Sequence, residues 1–289
     1  MFAHRRPPGA ALAVVLACTL ASCSAAAPPL VAETPASDRA NLLQAARALG
    51  PEAAACVAAP PDGWSAAGLR LLAEQAPQWA DALGAAAREA GGGATTAPGC
   101  SPDDLARDLG RVEALSLRVA EAEADDAVPV AIARAAAAAE AIGRDALAGA
   151  APPDTADLAH IPVATLDALA VAEDQAGFIG EHLATFLAPD EAVRDRLVKD
   201  AAAHRVRAEE LVALAASPDP RAAVYRLGEA PADAAAVQAR WAAAELALAS
   251  QYAAIPFNAG AEGAVLWQLV HAYSWGAVLP ALPFLDVTG

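Results

Sequence analysis

The chain predicts an all-α protein, and three observations carry that expectation. Apolar residues recur at helical spacing, segment after segment opens on Ser, Asp or Pro and closes on Gly or Pro, and no stretch alternates with strand period for long. Alanine, the strongest helix former, supplies most of the 56% hydrophobic residues. Four long segments in the second half match the element count of a four-helix bundle with one extended crossover.

Taken in order, Ser37-Asp38 caps a helix to Leu49, which Gly50-Pro51 stops. A short stretch over 52–58 precedes the turn Pro60-Pro61-Asp62-Gly63. Ser65 caps a helix to Ala90, closed by Gly91-Gly92-Gly93, and Ser101-Pro102 starts one to Ala124 with proline in the first turn. A further helix runs from Val128 to Ala148, before the break at Pro152-Pro153. The second half predicts helices over 162–187, 190–215, 231–254 and 260–279, with 217–230 as its long connection. The domain reading is therefore a helical N-terminal region over 38–150 and a four-helix bundle over 160–285.

The segment ahead of these helices carries an address. Arg5 and Arg6 precede an apolar run from Ala10 to Leu20, which ends in Leu20-Ala21-Ser22-Cys23, the layout of a secretory signal peptide. The run is shorter than the roughly 20 residues that span a bilayer. Pro7-Pro8-Gly9 after the arginine pair does not suit twin-arginine export. Leu20 to Cys23 resembles the lipobox of bacterial lipoproteins. The resemblance implies that residues 1–22 are cleaved and that Cys23 carries a diacylglyceryl group. Residues 23–37, small and Pro-rich, read as a flexible stalk.

The net charge of −16 disfavours binding to nucleic acid or to anionic headgroups. Membrane attachment is thus expected through acylated Cys23, at the extracytoplasmic face, with an envelope protein as the other expected partner. With Cys18 in the signal and Cys23 lipidated, Cys56 and Cys100 remain. In an oxidising compartment this even pair predicts a disulfide, the alternative being two buried thiols.

The second half places charge where a core should be. Leu166, Leu169, Glu173, Ala176, Gly180, Leu183 and Leu187 form one stripe, so Glu173 faces inward. Leu197, Ala201, His204, Ala208 and Leu211 put His204 inside, and Trp241, Glu245, Leu248 and Tyr252 do the same for Glu245. The last helix is apolar on every side, and Trp267, His271, Ser274 and Val278 are one candidate stripe. Buried carboxylates and imidazoles need partners or a metal. The main expectation is mutual hydrogen bonding, with an arginine such as Arg205 or Arg207 pairing a glutamate. The alternative is a mononuclear metal site of Glu173, His204, Glu245 and His271 holding iron, manganese or zinc. No GxSxG elbow or phosphate-binding loop is present.

Three segments carry a resemblance: AVAEDQAGFIGEHLATFL, AAAHRVRAEELVAL, and the stretch from Val224 to Ile255 with Tyr225, Glu245 and Tyr252. Together, over about residues 160–285, they resemble the ferritin-like domain of a domain-of-unknown-function family found in actinobacterial lipoproteins. Metal-binding ferritin-like proteins draw one Glu from each of two helices and a Glu-x-x-His pair from each of the others. Glu173 and Glu245 suit the single positions and His204 one histidine. Ala201 and Gln268 stand where the bridging glutamates would be. The expectation is accordingly a non-catalytic, cofactor-free scaffold or binding protein. A metal-binding or oxidoreductase role is the first alternative, and a small apolar ligand held near Trp241 and Trp267 the second.

Overall fold

Ser37 opens the first helix as its side chain predicts. In the computed structural model, which describes residues 37–84, 99–123, 125–144, 155–187, 190–256 and 259–285, its hydroxyl accepts from the Ala40 amide. The signal segment, Cys23, nearly all of the stalk, Gly91-Gly92-Gly93 and the predicted helix ends at 85–90 and 145–148 lie outside the described residues. The described residues hold eight α-helices and no strand: α1 (Asp38–Val57), α2 (Ala66–Gly84), α3 (Pro102–Ala122), α4 (Ala127–Gly143), α5 (Val163–Ala184), α6 (Glu191–Ala215), α7 (Ala234–Ala253) and α8 (Glu262–Ser274). The fold is all-α. Among these residues no helix is long and apolar enough to cross a membrane.

Local chemistry sets most boundaries. Ser101, Asp126, Asp190 and Asp233 each accept a hydrogen bond from a first-turn amide of α3, α4, α6 and α7, satisfying donors the helix cannot. Two boundaries depart from expectation. α1 continues through Gly50-Pro51 to Val57 instead of breaking there. Proline forfeits one helical hydrogen bond, but Leu42, Leu43 and Leu49 before it and Ala53 and Cys56 after it are all buried on one side of the helix. That burial offsets the loss. α8 stops at Ser274, short of the expected 279, because Gly276 adopts a left-handed conformation with φ 95°. The Gly276 amide bonds Tyr273 O and the Ala277 amide bonds Ala272 O, a Schellman closure.

The chain beyond that closure runs over α2. Gln75 Nε2 donates to Leu279 O at 3.1 Å and Trp79 Nε1 to Ala281 O at 2.6 Å. In the first half α2 and α3 pack on α1, and α4 on both α2 and α3; in the second, α5 packs on α6 and α7, and α7 on α8. α4 meets α8, where Arg134 forms a two-pronged pair with Glu262 at 2.6 and 2.9 Å. Residues 36–289 form one compact unit, and a single apolar cluster runs from Leu42 through Leu72 and Leu109 to Leu248 and Leu279. The two halves named from sequence therefore share a core. Cys56 and Cys100 are joined in a disulfide with Cα atoms 4.8 Å apart. Closing a loop with a sequence separation of 44 stabilises by about 4 kcal/mol on chain-entropy grounds.

Candidate functional site: a buried charged layer

A second apolar cluster, containing Leu183, Leu187, Leu197, Val237, Trp241 and Trp275, is separate from the main one. Charged residues stand at the division. On α6, His204 lies between Leu197 of the smaller cluster and Leu211 of the larger; on α7, Glu245 lies between Ala242 and Leu248. The helix periods that bury the leucines carry these groups inward as well. Gly180 on α5 lets the layer close, since a Cβ there would come within 2.7 Å of Ala201 Cβ and 2.8 Å of Trp241 Cζ3.

Within the layer, His204 bridges two carboxylates. Its Nδ1 lies 2.6 Å from Glu173 Oε2 and its Nε2 3.3 Å from Glu245 Oε1. Tyr252 donates its hydroxyl to Glu173 Oε1 at 2.6 Å, and Arg207 Nη1 approaches the same oxygen at 3.5 Å. The Arg207 guanidinium also sits over the Trp267 ring, 4.6 Å from its centre. The edges of Trp241 and Trp267 meet His204 from two sides. The side chains of Glu173, His204 and Glu245 are fully shielded from water. His271, 13% exposed, brings Nδ1 to 3.8 Å from Glu245 Oε1 and stacks on Trp267.

Electrostatics follow from this contact set. Burial alone would lower the His204 pKa, but the charges of Glu245 and Glu173 and the hydrogen bonds from them raise it to about 10. His204 is therefore an imidazolium that donates from both nitrogens at neutral pH. Burial alone would raise Glu245, yet His204 and then His271 hold it below the usual carboxylate range. Burial next to the Glu173 carboxylate pushes the Tyr252 phenol up, keeping it a neutral donor. Glu173 and Glu245 are paired by His204 and Arg207 within the layer, and the buried Asp200 carboxylate stands within electrostatic reach of Glu245 and His271.

All four candidate residues named from sequence converge here. Of the two suggested arginines, Arg207 pairs with Glu173. Arg205 instead holds Asp174 at 2.5 Å and Glu181 at 3.0 Å. Sequence reasoning did not name Asp200, whose carboxylate accepts from Trp275 Nε1 at 3.0 Å. It lies four residues before His204, on the same helix face, and that spacing was the available signal. Tyr225, on the long connection, donates to Asp174 Oδ2 at 2.8 Å and fastens that loop to α5.

The donor set does not fit the dinuclear centre of metal-binding ferritin-like proteins. The two bridging positions are Ala201 and Gln268, and both nitrogens of His204 are engaged by Glu173 and Glu245. Among the described residues no group of three or more His, Cys, Asp or Glu is disposed to hold a metal ion. Trp241 and Trp267 are buried against His204, and a cavity of about 380 Å³ lies on another face, between α3, α4 and α8. Fold and site together define an all-α protein with a buried layer of paired charged side chains. No protein-family model, curated protein or solved structure matches the chain.

Proposed function

We propose that this is a lipid-anchored protein of the cell envelope whose helical body, a bundle of ferritin-like ancestry, has a non-catalytic scaffold or binding role. One observation carries the reading: the charged centre of the bundle is shut off from water and its Glu173, His204 and Glu245 pair with one another. General acid–base catalysis needs a group that substrate can reach and whose protonation state can change at working pH. His204 meets neither requirement, being buried and held protonated by two carboxylates. The layer instead fixes the register of α5, α6 and α7, a use to which buried polar groups are well suited. The lipobox-like Leu20 to Cys23 supports the anchor, because a diacylated cysteine gives the two chains that stable attachment takes.

Expressed with its full signal in a bacterial host, the protein should partition with membranes, and Cys23→Ser should move it to the soluble extracytoplasmic fraction. Elemental analysis of the same purified protein should find iron, manganese and zinc well below one equivalent, unchanged by Glu173→Ala. Stoichiometric metal lost in that variant would overturn the non-catalytic reading. A soluble wild type would overturn the anchor.

A further inference from the structure

The cavity between α3, α4 and α8 exists because its walls are built from small residues. Ala133 and Ala137, one turn apart on α4, line it together with Gly263 at the start of α8, and among the described residues no larger side chain fills the space they leave. Leu117 and Leu266 complete an apolar wall, and Leu117 remains 39% exposed at the rim. The volume, about 380 Å³, falls within the range of small-molecule sites.

The charged groups around it are unevenly matched. Arg134, on the cavity wall, is held by both oxygens of Glu262. Arg144 is held by Glu140 at 2.7 Å. Glu113 also lines the cavity, and among the described residues no arginine forms an ion pair with it; its side chain hydrogen-bonds the carboxyl of Glu140, with Arg144 acting on it at longer range. Burial first, and the Glu140 charge second, raise the Glu113 carboxyl to about 7. An acid held this way gains most from a cation brought to it.

We propose that this cavity binds a small amphiphile with an apolar body and one ammonium head, the body against Ala133, Ala137 and Leu266 and the head on Glu113. Charge complementarity selects the head. A carboxylate or phosphate ligand would meet Glu113, the lining carboxylate that no arginine pairs among the described residues, on a chain of net charge −16. The inference rests on the binding role proposed above. The Cys23→Ser fractionation tests the anchor separately, so either can fail alone.

The test is calorimetric titration of the purified protein with decylammonium, decanoate and decanol, each below its micelle concentration. Decylammonium should bind saturably at one per chain, and the other two at least about tenfold more weakly, the scale of one charge-assisted contact. Glu113→Gln should weaken decylammonium by a similar factor while leaving decanol unchanged. Ala137→Leu, which fills the cavity, should abolish binding of all three. Decylammonium affinity should fall as pH drops below about 7 and Glu113 takes up its proton, Glu140, Arg144, Arg134 and Glu262 being the charged groups around it. Absent or unsaturable binding, equal affinity for decanoate, or an unaffected Glu113→Gln variant would each overturn the proposal.

Discussion

His204 shows how one side chain commits its neighbours. It is the cation between two buried carboxylates, and both of its nitrogens are used. Removing it leaves Glu173 with the neutral Tyr252 hydroxyl and the longer Arg207 contact as its partners, and Glu245 with His271 at 3.8 Å. Breaking a buried pair by deleting one partner costs about 3–5 kcal/mol, because the surviving charge remains desolvated. His204→Ala should therefore lower the unfolding free energy by about that amount in urea titration. Adding Glu245→Gln to it should recover part of the loss, since one stranded charge is then gone. A single-variant effect below about 1 kcal/mol, the scale of a surface pair, would show that the layer is not held by charge.

At the scale of elements, the close crossing of α2 and α4 depends on two glycines. A Cβ on Gly68 would lie 2.2 Å from Gly143 Cα and 2.5 Å from Gly143 N, backbone atoms that cannot turn aside. Gly68→Ala should cost about 1–3 kcal/mol, the usual penalty of overpacking. Gly110, on the exposed side of α3, has nothing within 4 Å of its would-be Cβ. Gly110→Ala should be neutral or stabilise by up to about 1 kcal/mol through helix propensity. Thermal melts of the two variants side by side check both. The same contrast explains what could be read from the sequence. The seams carrying Glu173, His204 and Glu245 were legible because leucines flank each charge at helical spacing. The facing of α8 was not, since an all-apolar helix has no polar side to mark its outside, and the stripe through Trp267 and His271 was one candidate among several. The joining of the halves through α4 and α8 was hidden too, because an alanine-rich face such as that of α4 specifies no partner. The continuity of α1 through Pro51 escaped because a proline rule is local, and the burial that overrides it is not.

For the whole molecule, titration sets a direction of stability with pH. Glu52 is raised from 4.5 to about 7 by burial and by Asp108 beside it, and Glu113 to about 7 by burial and Glu140. An acid whose folded pKa is raised favours the folded state fully below its unfolded value, and that contribution is lost as pH climbs through the folded value. Both groups thus make the protein less stable as pH rises from about 4.5 to 7. His204 acts in the same sense over a later window, its stabilisation being complete below 6.5 and lost as pH rises through about 10. Asp200, raised by burial, adds to the fall. Glu245 is depressed, so its contribution is lost only in acid, below the range of interest. The self-repulsion of a chain of net charge −16 also weakens as carboxylates protonate. The melting temperature should therefore be higher at pH 5.5 than at pH 8, at matched ionic strength. In Glu52→Gln/Glu113→Gln, where the two acids no longer titrate, the difference should shrink, chiefly through a higher melting temperature at pH 8. A wild type that melts as high or higher at pH 8 would show that Glu52 and Glu113 are not raised in the folded protein.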